Sequence, residues 1–299
     1  MKTIASRLSS NAWAWVGLVL LALIWGSSFI LIKRGVAVYA PAVVGSARIG
    51  IAALVLLPFA WPHRHKAHRK DWLHLAVVGF FGNLLPAYLF SKAETVLSSS
   101  VTGVLNALTP LSVLLVGVWF FGQVFRWEKL VGLLLAFAGA VGLALLGDAT
   151  EKTTGAAPSY ALLVLMATVC YGISANTIKF RLSHFRPIEI AGLSFMTMFP
   201  LAASYLLFSD VATTWGSHPD AAVAMGYIAF LALVGTAFAL VVFNTIIRLK
   251  SPVFAASVTY LIPIVALFWG IVDGERLNLV QLISAAVILL GVYGASRVR

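Results

Sequence analysis

A single cysteine, Cys170, stands among 299 residues. No disulfide can close within the chain, no thiolate cluster can hold a metal, and Cys170 reads as a small packing residue. Charge is also scarce, since Asp, Glu, Lys and Arg make up 10% of the chain and only 10 residues are acids. Neither Gly-x-x-x-x-Gly-Lys-Ser/Thr nor His-Glu-x-x-His occurs, which speaks against ATP-driven work and zinc hydrolysis by this chain. Serines lie in apolar surroundings without an evident base, so an enzyme is not expected, and no cofactor or metal is called for. The polar–apolar alternation of a membrane β-barrel is missing as well. Leu133 to Gly142, for example, is apolar on every face of the chain.

What remains is hydrophobic. Apolar residues make up 61% of the chain and mean hydropathy is +0.98, well above the apolar content of soluble domains, about 45–50%. Ten runs are long enough as helices to cross a hydrocarbon core of about 30 Å: 13–36, 42–61, 72–91, 98–121, 128–147, 158–179, 187–208, 221–247, 252–271 and 278–296. The expected fold is an all-α membrane bundle of ten transmembrane helices in the lipid bilayer, with the first run an uncleaved anchor. The net charge of +11 does not point to nucleic acid, because the cations gather at alternate helix ends. His63 to Lys70, Arg126, Lys129, Lys179, Arg181, Arg186, Arg248 and Lys250 share one side with both termini, which the positive-inside rule makes cytoplasmic. The His63–Lys70 loop reads as a basic face toward anionic lipid.

The chain also repeats itself. Trp25-Gly26-Ser27-Ser28-Phe29-Ile30-Leu31-Ile32-Lys33 returns as Tyr171-Gly172-Ile173-Ser174-Ala175-Asn176-Thr177-Ile178-Lys179, 146 positions on, and Pro41 returns as Pro187. Pro110 answers to Pro263 and Gly117 to Gly270 at 153, and Gly139 and Gly142 to Gly291 and Gly294 at 152, a change that a local insertion of one residue accounts for. The halves are then 1–147 and 158–299, joined by a polar linker at 148–157. Five helices per half is an odd number, so the second half enters from the opposite side. Two inverted repeats with interrupted helices are the architecture of secondary transporters. Interruptions are expected near Gly82, four residues before Pro86, and at Thr109-Pro110.

Polar and aromatic side chains at plausible depth are Trp25, Ser27, Asn83, Tyr88, Asn106, Tyr171, Asn176, Asn244, Tyr260 and Trp269. Each could be interhelical glue, and together they suit a zwitterionic solute: aromatic faces cover an apolar group or attract an ammonium, and amides meet the polar ends. Arg48 is a buried cation that either reaches the interface, pairs with a neighbour or meets a substrate carboxylate. Lys92 and Glu94, at the outer end of the third run, read as solvated or locally paired. No acid sits convincingly at mid-membrane, which favours facilitated or weakly proton-coupled movement over proton-driven export of cationic drugs. That export, and a non-transporting scaffold, are the alternatives. The small-residue ridge Gly132, Ala136, Ala140 and Ala144 reads as a packing face. The oligomeric state is not set by the sequence, and a monomer is compatible with it.

The Trp25-Gly26-Ser27-Ser28-Phe29 motif, Arg48, the Pro110 and Pro263 helices and the Gly274-Glu275 step resemble the EamA family of the drug/metabolite transporter superfamily, over essentially the whole chain. More narrowly the sequence resembles YddG-type amino-acid exporters. That resemblance implies a basket-shaped bacterial inner-membrane protein that releases aromatic and other neutral amino acids. The family prefers an acid before the last helix of each repeat. Glu275 fits this pattern and Gln123 departs from it.

Overall fold

The computed structural model describes residues 2–97, 99–146, 157–262, 264–265 and 279–297, and among them the regular structure is helical throughout. In the first half, α1 (Lys2–Gly26) and α2 (Ser28–Val36) are followed by α3 (Pro41–Ala60). Next come α4 (Arg69–Gly79) and α5 (Leu85–Ala93), joined by a π-helical turn, Phe80–Leu84. α6 (Ser99–Asn106), α7 (Thr109–Phe121) and α8 (Trp127–Leu146) complete the half. The second half contains α9 (Ala157–Arg181), α10 (Pro187–Phe208) and the short α11 (Val211–Ser217). α12 (Ala221–Ala232) and α13 (Ala239–Leu249) flank a second π turn, Leu233–Phe238, and α14 (Pro252–Ala256) and a last helix, Leu279–Arg297, follow. Among the described residues, six helical runs are long and apolar enough to cross a membrane: Ala12–Val36, Pro41–Lys66, Arg69–Ala93, Ser159–Arg181, Pro187–Phe208 and Ala221–Leu249. Shorter apolar helices are Thr109–Phe121, Pro252–Ile262 and Leu282–Ala295.

Pro41, Pro187 and Pro252 each stand at a helix start, where the missing N–H costs nothing and φ is already set. Pro86 lies inside a run, and its absent donor is absorbed by the π turn Phe80–Leu84 just before it. The interruption expected at Thr109-Pro110 is the break between α6 and α7, where Thr109 Oγ1 donates to the Asn106 carbonyl at 2.7 Å.

The outside of the bundle is greasy and the inside contains the polar groups. Trp119, Phe120, Trp127, Leu207 and Phe208 are all at least 70% exposed, the reverse of a soluble surface and the pattern lipid requires. Close helix contacts run through small residues. Gly132 backs onto Ala295, a Cβ on Gly291 would overlap the backbone of Ala136, and Gly139 lies against Ile288. The described part of the predicted ridge, Gly132, Ala136 and Ala140, is thus where α8 meets the last helix. α3 and α10 pair likewise, with Gly192 on Ala60.

At the end holding Lys66 and Arg186, α3 and α10 are clamped by Glu189. It is 1% exposed and accepts from Lys66 Nζ and Arg186 Nε, each at 2.8 Å, and from the Arg186 backbone N–H at 2.9 Å. His63 Nε2 stands 3.6 Å away. Part of the basic loop read as facing lipid therefore serves an internal acid. The opposite end is packed by Tyr39, Val43, Val44 and Ala47 against Ala221, Ala224 and Ile228, all buried, and Tyr39 Oη donates to the Ala221 carbonyl at 3.1 Å.

Candidate functional site

A largely apolar cavity of about 1120 Å³, counting its open mouth, lies between the two halves. Its walls are nearly duplicated. At the 146 offset, Trp25 corresponds to Tyr171, Ser28 to Ser174 and Ile32 to Ile178; at 153, Gly82 corresponds to Gly235, Asn83 to Thr236, Phe90 to Phe243 and Asn106 to Thr259. All fourteen line the cavity.

The contacts within the wall are reciprocal across the halves. Trp25 from α1 lies on Phe243 from α13, with ring centroids 5.4 Å apart. Tyr171 from α9 stacks on Phe90 from α5 at 6.1 Å. A Cβ on Gly235 would sit 3.0 Å from Ser28 Oγ, and one on Gly82 would overlap Ser174 Oγ. Glycine at these two positions lets a seryl helix approach a π turn. Both π turns also use their polar residue alike. Asn83 Nδ2 donates to the Val78 carbonyl at 3.4 Å, and Thr236 Oγ1 donates to the Leu231 carbonyl at 3.1 Å, each five residues back along its own helix. Such reciprocity is what a twofold relation between the halves produces, and the cavity lies on that relation.

Charge breaks the duplication. Arg48 of α3 lines the cavity where the second half offers Ser194. Its Nε donates to Thr236 Oγ1 at 2.5 Å, which fixes the guanidinium against the second π turn. No carboxylate is among the described lining residues. The wall thus combines one anchored cation, two aromatic pairs, and the amides of Asn83, Asn106 and Asn244.

Among the candidates read from the sequence, the structure brings Trp25, Arg48, Asn83, Asn106, Tyr171 and Asn244 together on this wall. Trp25 Nε1 donates to the Gly235 carbonyl at 2.9 Å, so the indole face is fixed. Ser28, not Ser27, is the wall serine of its motif. Tyr88 is 42% exposed and off the wall. Asn176 is fully buried and bridges helices, with Nδ2 donating to the Val113 and Gly172 carbonyls at 2.9 and 2.8 Å. Tyr260 is fully buried too, and its hydroxyl donates to the Leu133 carbonyl at 3.0 Å. Trp269 lies outside the described residues. Phe90, Ser174, Thr236, Phe243 and Thr259 were not singled out in the sequence. Carrying the 146 and 153 offsets through every polar and aromatic position would have found them.

One reading is overturned. Glu94 was expected to be solvated or locally paired, but it is 5% exposed and neither carboxyl oxygen has a hydrogen-bond partner among the described residues. Packing of the α5 end against α9, through Leu89, Phe90, Ala93 and Leu97 with Val164 and Ala167, buries that turn.

The family model described as "EamA-like transporter family" matches residues 12–145 and again 158–297. An uncharacterized transporter of Archaeoglobus fulgidus is 27% identical over 95% of this chain and 99% of its own length. A protein named as a probable terminal-alkyne amino-acid exporter, from Streptantibioticus cattleyicolor, is 27% identical over 97% of this chain and 95% of its own. The uncharacterized inner membrane transporter YedA of Escherichia coli is 26% identical over 91% and 87%. A solved crystal structure covers 97% of both chains with a TM-score of 0.70 at 16% identity, a likeness of fold.

Proposed function

The chain belongs to the EamA-like transporter family, and on that premise we propose that it exports amino acids, aromatic and other neutral ones, by alternating access across a bacterial inner membrane. The observation that carries this reading is Arg48. A cation on the wall of a membrane cavity is costly unless something meets it. The only described bond of its guanidinium is from Nε, so the Nη pair remains for a carboxylate in bidentate geometry. The aromatic pairs Trp25–Phe243 and Tyr171–Phe90 suit an apolar side chain, and the amides suit an ammonium. A cationic drug would meet the Arg48 charge without an acid among the described lining residues to offset it. The relative named as a probable amino-acid exporter supports the same substrate class.

Ten crossings complete this reading, with both termini cytoplasmic and the halves inverted, so that the Lys33–Pro41–Glu94 end faces outward. The reciprocal pairing of the halves supports the inversion, since each half presents the same wall to the other. In proteoliposomes loaded with labelled Phe, Trp, Met or Thr, efflux is expected to be accelerated by unlabelled neutral amino acids on the other side. An organic cation dye is expected to be left behind. Dye movement without amino-acid exchange would turn the assignment to drug export.

A further inference from the structure

Glu94 is the first residue after α5, one position past the apolar run Arg69–Ala93. The residue is 5% exposed, and both carboxyl oxygens are buried and unpartnered among the described residues. It lies one turn beyond Phe90, which lines the cavity and stacks on Tyr171. The ionisable groups on the surrounding elements are cations and phenols. Arg48 of α3 and Lys33 of α2 act on it electrostatically, Arg34 follows Lys33, Tyr160 and Tyr171 of α9 belong to the layer around it, and Lys92 precedes it on α5. α6 contributes none. Burial outweighs the two cations and pushes the Glu94 carboxyl up to about 8, as expected of an acid removed from water without donors.

Comparison with the other half gives this position its meaning. At the 153 offset the counterpart of Glu94 is Ile247, and at 146 the counterpart of Lys33 is Lys179. Lys179 Nζ donates to the carbonyls of Ile247 and Lys250, each at 3.2 Å, so at that end a lysine closes directly onto the end of α13. At these matched positions the Lys33 end holds a carboxyl, Glu94, and the Lys179 end an isoleucine, Ile247.

We infer that Glu94 is a proton-binding site tied to closure of the Lys33 end of the cavity, loaded when that end is shut and emptied to bulk water when it opens. The inference rests on the transport reading above. The step is a single O–H bond made on one carboxyl oxygen with a proton from water and broken again to water. Its sign follows from linkage. The shut state holds the proton up to about pH 8, whereas a hydrated glutamate releases it near about 4.3. The shut state binds more protons, so acid favours shutting. Between those values opening rises about tenfold per pH unit, and above the upper one the gain ceases.

Two measurements test this, using the purified full chain and Glu94→Gln. The first is infrared spectroscopy of the reconstituted protein at about pH 6 and about pH 10, values that bracket the raised group. Wild type should show the C=O stretch of a neutral carboxylic acid at the lower pH, absent from Glu94→Gln and lost at the higher pH. A spectrum that does not differ between wild type and variant at the lower pH overturns the site. The second is amino-acid counterflow with equal pH on both faces. Wild-type exchange should climb from about pH 6 to about pH 8 and then level off, whereas Glu94→Gln, fixed in the neutral form, should be slow and flat. An equal climb in the variant overturns the link to gating. Should no amino acid exchange at all, the substrate reading fails while the infrared result still decides whether Glu94 holds a proton. Glu94→Asp keeps the acid and should keep the band.

Discussion

Arg48 separates the two kinds of solute that this cavity could serve. Its bond to Thr236 Oγ1 and that hydroxyl's own bond to Leu231 hold the guanidinium in place before any ligand arrives. Arg48→Ala should therefore weaken binding of a neutral amino acid by about 10- to 100-fold, the range of a lost charge-assisted pair. Thr236 remains satisfied and the fold intact. Arg48→Lys should recover little, since an ammonium cannot bond Thr236 and still offer a planar fork. Counterflow KM for Phe, read beside melting of the detergent-solubilised protein, checks this; an unchanged KM in both variants would remove Arg48 from the site. At this scale the sequence was partly legible. Trp25 and Tyr171 were marked by the repeat, and Asn83, Asn106 and Asn244 by polarity at depth. Ser28 was not distinguished from Ser27, because α1 ends at Gly26 and α2 begins at Ser28, and the helical period cannot be carried across that break. Tyr88 was misplaced for a related reason. The π turn at Phe80–Leu84 inserts an extra residue and rotates the following face by about 100°. Glu94 read as wet because sequence shows how far a residue lies from a run and not what folds over it.

At the scale of elements, the packed pairs explain which glycines tolerate change. A Cβ on Gly132 would stand 2.7 Å from the Ala295 backbone nitrogen. Backbone cannot step aside as a flexible side chain can, so Gly132→Ala should separate α8 from the last helix and cost about 1–3 kcal/mol. Gly294 has nothing within 4 Å of its added Cβ, and Gly294→Ala should be neutral or stabilising by up to about 1 kcal/mol through helix propensity. Thermal unfolding of the two variants in detergent measures the contrast, and equal melting points would contradict the packing argument. Glu189 acts between elements in another way. Glu189→Gln keeps the shape but removes the charge that Lys66 and Arg186 bond to. The two cations are more than half exposed and rehydrate readily, so the expected loss is about 1–2 kcal/mol. These helix pairings were legible where small residues recur every four positions. The first π turn was legible only as a kink near Pro86 and the second, Leu233–Phe238, was not marked, since no sequence period distinguishes a π turn from a bend.

Across the whole molecule, duplicated walls around one cavity imply two packed arrangements of similar energy, one with each end shut. At the Lys33 end α2 and α3 pack against α12. The contact is close enough to lock, because a Cβ added at Gly35 would lie 3.1 Å from Ile228 Cγ1, within reach of a disulfide once both positions are cysteine. In a Cys170→Ala background, which removes the native thiol, Gly35→Cys with Ile228→Cys should exchange amino acids when reduced. It should stop when oxidised, and recover with a thiol reductant. Each single-cysteine variant should be indifferent to oxidant. Loss of exchange only in the oxidised pair means that α2 and α12 must part in every cycle, as alternating access requires. Full exchange in the cross-linked protein would mean that solute passes without that end opening, and the duplicated cavity would then be a fixed path instead of a pair of alternating chambers.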